Sequence, residues 1–229
     1  MEDIDAIAAL QDPVRRRLYE YVVAQGREVG RNEAAEATGV ARTLAAHHLD
    51  KLAEVGLLLS GSRRLSGRSG PGAGRPAKVY TRAQADVSVS LPARDYRTAA
   101  ELLAEAAEQA GLDAGLRAAA RRRGEVLRGS AVPCGGFEEA MEVLAARGYE
   151  PRLEGAEDAE GGSEAATAVV RMRNCPFHAV AERFPPLVCG MNLALLEGLF
   201  GTDGPVRARM DPRPGECCVV VENSKNNID

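Results

Sequence analysis

The sequence predicts an α+β fold: a helical N-terminal domain closed by a β-hairpin, a helical segment, and a C-terminal domain that mixes strands with one apolar helix. Helix-period apolar spacing, punctuated by Gly and Pro, fills residues 12–56. Short apolar runs of strand character follow at Leu57–Leu59, Lys78–Tyr80, Thr167–Met172 and Val206–Met210. Four of the five cysteines lie between Cys175 and Cys218, which sets the last third of the chain chemically apart.

A chain of 229 residues is long enough for two small domains with separate cores. With 45% hydrophobic and 27% charged residues its composition is that of a globular protein. No apolar run approaches the ~20 residues of a membrane span, and the acidic N-terminus lacks a signal-peptide pattern. No membrane partner and a cytoplasmic location are therefore expected. In that reducing setting five cysteines argue for metal or redox chemistry over a disulfide framework. The net charge of -4 hides an asymmetry: residues 1–82 carry 13 basic and 10 acidic side chains, whereas the remainder carries 16 and 23. Between Ser60 and Arg82 stand six basic residues (Arg63, Arg64, Arg68, Arg75, Lys78, Arg82) and no acid, a local footprint of nucleic-acid binding.

Asp12-Pro13 opens the first helix, since Asp accepts hydrogen bonds from orphan amides and Pro at the first helical position loses none. Val14, Leu18 and Val22 carry that helix to Gly26. A short helix over Asn32–Ala37 stops at Gly39, and a third runs from near Ala41 to Gly56. The inward face of this third helix is expected to be Leu44, Ala45, His48, Leu49, Leu52 and Val55. Its outward face would be Arg42, Thr43, Ala46, His47, Asp50, Lys51 and Glu54. A strand at Leu57–Leu59, a Gly/Ser/Arg loop and a strand at Lys78–Tyr80 complete the order of a winged helix-turn-helix. Arg42, Thr43, His47 and Lys51 are the candidates for a major groove; Arg63, Arg64, Arg68, Arg75 and Lys78 are the candidates for phosphates or the adjacent minor groove. His48 is expected to be a hydrogen-bonded packing residue.

Asp86–Leu91 alternates as a strand or extended linker, and Ala99, Leu102, Leu103, Ala106 and Ala110 fit a helix. A second helical piece spans Leu116–Leu127, with Leu116, Ala119, Ala120, Val126 and Leu127 as its buried stripe. Its arginines are read as a solvated face and its Ala-rich surface as a dimer seam. The expected organisation is thus a DNA-binding domain over 1–85, a linker and dimerisation helices over 86–130, a sensor domain over 131–222 and a tail over 223–229. Phe137–Ala145 is an amphipathic helix, and Cys134, just ahead of it, stands apart from the other cysteines.

Cys175 sits at a strand end, held extended by Pro176. Pro185-Pro186 is expected to break a helix, and Cys189 then lies in the first turn of the next, where the dipole favours thiolate. Cys217 and Cys218 are expected to begin a strand; alternation would let only one of them join a common site. Three thiolates plus one other ligand describe an iron–sulfur cluster, or a zinc site completed by His178. Asp203 is a second candidate for that fourth place. No Ser/His/Asp set or phosphate-cradling loop is present, and Cys175 and His178 are the only thiol–imidazole pair close in sequence, so an enzyme is not expected.

His48-Leu49-Asp50-Lys51-Leu52, Gly56-Leu57-Leu58 and Gly74-Arg75-Pro76-Ala77-Lys78-Val79-Tyr80 resemble the ArsR-like and DeoR-like winged-helix regulators of bacteria. The Gly-Arg-Pro wing ending in Tyr is similar to that of the SufR-like repressors. The resemblance implies a homodimer on double-stranded DNA carrying a [4Fe-4S] or [2Fe-2S] cluster, acting on genes of cluster assembly or of the redox and iron response. Cys175 and Cys189 match the first two cysteines of the family's set and Cys217 or Cys218 the last. The third falls near Asp203, where this sequence departs from the pattern.

Overall fold

The structure is a computed structural model that describes residues 2–63, 76–130, 133–155 and 168–224. Its chain divides into two compact units, Met1–Arg94 and Asp95–Asp229. The helices expected to form a separate middle segment belong to the second unit.

The first unit contains α1 (Glu2–Ala9), α2 (Pro13–Gln25), β1 (Val29–Gly30), α3 (Arg31–Thr38), α4 (Arg42–Glu54), β2 (Leu58–Arg63) and β3 (Ala77–Arg82). Asp12 caps α2 as its sequence implies: its carboxylate accepts from the amides of Val14 and Arg15, each at 2.9 Å. Gly39 takes φ of +67°, a left-handed conformation open to Gly without penalty, and so ends α3 one turn before α4 begins. Leu18 and Val22 of α2, Ala34 and Ala35 of α3, and Ala45, Leu49 and Leu52 of α4 bury a common core with Val29, Leu58 and Tyr80. The strands are antiparallel in the order β1-β3-β2. Neither α1 nor the two-residue β1 was expected, and Asp86–Leu91 forms no strand. A strand as short as β1 carries no periodicity to read.

The second unit contains α5 (Tyr96–Gln109), α6 (Asp113–Arg128), α7 (Phe137–Ala145), β4 (Pro151–Glu154), β5 (Val169–Met172), α8 (His178–Ala181), α9 (Pro185–Phe200), β6 (Val206–Met210) and β7 (Val219–Asn223). Its antiparallel sheet runs β4-β5-β7-β6. Leu144, Val170, Met172, Leu196, Phe200, Val206, Val219 and Val221 form the core between sheet and helices. Pro185-Pro186 starts α9 instead of breaking a helix, because the first helical positions need no amide donor. α9 is apolar nearly all round, as suits a helix covered on more than one side.

What covers it is α6. A Cβ added at Gly124 would meet the Leu195 carbonyl oxygen at 2.1 Å, and one added at Gly198 would meet the Arg121 carbonyl oxygen at 2.1 Å. The two helices therefore touch backbone to backbone at paired glycines. This crossing, and not the larger apolar residues, selects the buried face of α6: Ala120 and Gly124 are buried, while Ala119, Val126 and Leu127 are exposed. The expected stripe is corrected accordingly. Likewise α5 packs through Ala104 and Ala107 beside Phe184 and Leu187, leaving Leu102 and Leu103 exposed. Among the described residues no helix is long and apolar enough to cross a membrane.

Gly124→Ala or Gly198→Ala should each destabilise the second unit by about 2–3 kcal/mol in urea unfolding, because backbone must move to admit a methyl group. Gly115→Ala, also in α6 but with open space at its Cβ position, should be neutral or gain roughly 0.5 kcal/mol.

Candidate nucleic-acid interface and sulfur site

The exposed face of α4 carries Arg42, Thr43 and His47, with Lys51 half-buried one turn further on. His48 faces inward, 6% exposed, and its Nδ1 accepts from Arg15 Nε at 3.3 Å. Burial holds its pKa below the usual histidine value, which keeps the ring neutral as an acceptor must be. Leu44 does not join the core. It lies at the rim of the buried arc, 43% exposed, and adds an apolar group beside Thr43 and His47.

The hairpin of β2 and β3 brings Arg63 opposite Ala77 and Ser62 opposite Lys78. Arg64, Arg68 and Arg75 lie outside the described residues. Arg63 sits 3.4 Å from Glu28 and Lys51 sits 3.0 Å from Glu54. Exposed pairs of this kind contribute about 0–1 kcal/mol, so either cation exchanges its partner readily. Lys78 differs, being held in a network that the sequence did not announce.

The hub of that network is Asp50. Its Oδ1 accepts from Tyr80 Oη at 2.6 Å, Lys78 Nζ at 2.7 Å and Arg31 at 2.9 Å, while Oδ2 accepts from Arg31 at 2.7 Å. Arg31 Nε also donates to Tyr80 Oη at 2.9 Å. One carboxylate thus ties α4 to the first residue of α3 and to the hairpin. Burial by itself would raise the Asp50 pKa, but the bonds from Lys78, Tyr80 and Arg31 outweigh it and draw the value down to about 2. Burial and the bond to Asp50 push Tyr80 up to about 12. Asp50 was expected on the outward face, with no partner assigned to it. Its real signal was a charge on α4 with three complementary donors far apart in sequence, which periodicity does not register.

In the second unit the cysteines meet in pairs. Cys189 and Cys218 are joined as a disulfide with Cα atoms 6.4 Å apart. Cys175 lies near Cys217, and that neighbour, together with burial, raises the Cys175 pKa. Cys217 is drawn down to about 7, first by Cys175 and against desolvation, with help from the Val219 amide and Asn192. Asn192 Nδ2 lies 3.4 Å from Cys217 Sγ, and Asn192 Oδ1 accepts from Tyr149 Oη at 2.5 Å. Asn192 is three residues beyond Cys189, so one face of α9 meets both sulfurs of the Cys217-Cys218 step.

One expectation is corrected here. Cys217 and Cys218 precede β7 and do not lie within it, so strand alternation does not divide them; each has its own sulfur partner. The His178 ring is half exposed, with Nε2 3.2 Å from Glu182, and its amide donates to the Cys175 carbonyl at 3.0 Å. Asp203 is exposed on the turn after α9, beside Thr202. Cys134 is buried against the second core and donates to the Gly136 carbonyl, a packing role.

Among the described residues no group of three or more His, Cys, Asp or Glu side chains surrounds a common metal position. Cys175, Cys189, Cys217 and Cys218 all belong to the second unit, and thiolate sulfur is the donor type that soft metals take. Cys189 and Cys218 must first gain two electrons to become thiolates. No family model, curated protein or solved structure matches this chain.

Asp50→Ala should lower the stability of the first unit by about 1–2 kcal/mol at neutral pH, its partial exposure keeping the loss modest. Because the folded carboxyl titrates below its unfolded value of about 3.9, its contribution is present above that pH and fades toward pH 2. Thermal unfolding should therefore show the two proteins converging as pH falls; a gap independent of pH would contradict the hub.

Proposed function

We propose that the chain is a DNA-binding transcriptional regulator, a repressor that acts as a homodimer on an inverted repeat and responds through an iron–sulfur cluster. In this reading α2, α3, α4 and the β2–β3 hairpin are a winged helix-turn-helix. Arg42, Thr43 and His47 enter the major groove, while Arg63 and the remaining hairpin arginines meet phosphate or minor groove. The likeness to SufR-like repressors supplies the class of target, genes of cluster assembly or of the redox and iron response.

What supports the reading is that Cys175, Cys189, Cys217 and Cys218 all lie in the second unit, not the one that presents α4, and that Cys189 and Cys218 are already joined across 29 residues. Once reduced, these four residues would hold a [4Fe-4S] or [2Fe-2S] cluster. Such a cluster supplies electron-transfer and oxidant-sensitive chemistry. Asn192 keeps a donor at Cys217, which fixes that sulfur's orientation, and the Val219 amide adds a second. Control of DNA affinity requires that the occupied and empty sites favour different dimer geometries.

Purified without oxygen, the protein should be coloured and contain iron and acid-labile sulfide, and Cys175→Ser or Cys189→Ser should lose both. A colourless, zinc-only protein whose promoter binding ignores oxidants would overturn the cluster reading in favour of structural zinc. Arg42→Ala or His47→Ala should cost about 1–3 kcal/mol of discrimination between cognate and mismatched promoter in gel-shift titration. Arg63→Ala should instead weaken both sequences alike and flatten the salt dependence.

A further inference from the structure

We propose that α5 of one copy of this chain packs against α6 of a second copy, and α6 of the first against α5 of the second, about a two-fold axis. This pairing rests on the homodimer of the preceding reading and names the surface that forms it. It involves neither the sulfurs nor DNA.

α5 is amphipathic, yet none of its 14 described residues is buried. Ala104 and Ala107 turn toward Phe184 and Leu187, so small side chains make its inward face. The large ones are left outside: Tyr96 is 74% exposed, Leu102 62% and Leu103 73%. α6 repeats the arrangement. Gly124 fixes its inward face against α9, which leaves Val126 69% exposed, and Leu112, in the turn between the two helices, is 54% exposed. Tyr96, Leu103 and Ala110 recur every seventh residue, as do Leu112, Ala119 and Val126, and all six are exposed. A seven-residue repeat keeps its members on one side of a helix, the side that another helix covers. Exposed apolar residues grouped in this way mark a protein–protein interface.

Charge identifies the occupant. α5 carries Glu101, Glu105 and Glu108 against the single base Arg97, whereas α6 carries five arginines against Asp113 and Glu125. Some of these charges are already paired within the chain. Glu101 meets Arg97 at 3.5 Å and also Arg183, Arg121 meets Glu197 at 2.5 Å, and Arg117 lies against Gly190. Glu105 accepts from the neutral Gln109 amide at 3.2 Å, and both it and Glu108 stay exposed. Arg122 and Arg123 stay exposed on α6. A second α5 laid on α5 would bring acid to acid, and a second α6 laid on α6 would bring base to base. The exchanged pairing brings the acids of one copy to the arginines of the other, and the two-fold axis makes each such contact twice.

The test is sedimentation equilibrium of the full chain without DNA, where the unaltered protein should be a dimer. Leu103→Ser and Val126→Ser should each raise the dimer dissociation constant about 100-fold, since the symmetry removes two apolar contacts at once. Far-UV circular dichroism should stay unchanged, because both side chains are exposed in the single chain. Glu105→Lys with Glu108→Lys, or Arg122→Glu with Arg123→Glu, should raise the constant about tenfold or more, and mixing these two variants should restore a dimer. A charge reversal that tightens the dimer would show that helix facing its own copy and would overturn the exchanged pairing. Serine variants that dimerise as the unaltered chain does would also overturn it, while leaving the homodimer reading in place. An unaltered chain that stays monomeric at every concentration would overturn the surface and the homodimer together.

Discussion

A guanidinium with no solvent contact holds the sulfur-bearing end of the second unit in place. Arg171 lies on β5 between Val170 and Met172, which face the core, and is itself fully buried on the opposite side of the strand. A charge taken out of water must be neutralised by partners close at hand. Asp211 answers with its backbone carbonyl at 3.1 Å and its carboxylate at 2.5 Å, and Glu154 and Glu216 stand 3.4 and 3.5 Å away. Two of these three acids, Asp211 and Glu216, belong to the turn that joins β6 to β7 and delivers Cys217 and Cys218. The turn is also closed on itself, since the Asp211 amide donates to the Cys218 carbonyl at 2.8 Å. A segment rich in Pro and Gly would otherwise have considerable freedom; charge burial removes it.

The same logic at lower intensity governs the first unit. Asp50 joins α3, α4 and the hairpin, but its carboxylate is partly open to water and its partners are correspondingly worth less. One acid there orients a helix relative to a hairpin, while in the second unit three acids around one arginine orient a turn relative to a sheet. Neither network contributes through apolar area. Both decide where an apolar framework places its polar side chains.

This difference explains what could be read from the chain beforehand. α2, α3, α4 and the two hairpin strands announce themselves because Asp12-Pro13, Gly26, Gly39 and Gly56 punctuate segments with clear helical or strand periodicity. That four of the five cysteines belong to one unit was legible too, since they cluster in sequence. Their pairing was not, because it depends on Cys217 and Cys218 lying in a turn, and the turn depends on Arg171 forty residues earlier. Leu44, Val126 and Leu127 were assigned inward by residue type, yet the inward face of α6 was chosen by the two glycines Gly124 and Gly198. An absent side chain leaves no mark in a hydrophobic pattern. β4 was missed because Pro151–Glu154 is short, half polar and paired only with β5.

The glycine crossing bears on what the sulfur site can transmit. A disulfide holds its sulfurs about 2 Å apart, whereas two thiolates on one tetrahedral metal with bonds of about 2.3 Å stand about 3.8 Å apart. Exchanging one state for the other at Cys189 and Cys218 therefore moves the two sulfurs apart by well over an ångström, by side-chain rotation at the second turn of α9 and at the approach to β7 or by a shift of those segments. The approach to β7 is held at Met172 and Arg171, so any backbone shift would be taken by α9. That helix cannot slide smoothly over α6, because backbone meets backbone at Gly124 and Gly198 with no side chain between them to yield. A tightly packed contact of this kind shifts as a unit or not at all. α6 in turn is joined by a short turn to α5, the first element after Arg94, where the unit that carries α4 ends. Within the second unit, a change at the Cys189–Cys218 pair would therefore be met first at the crossing of α9 with α6.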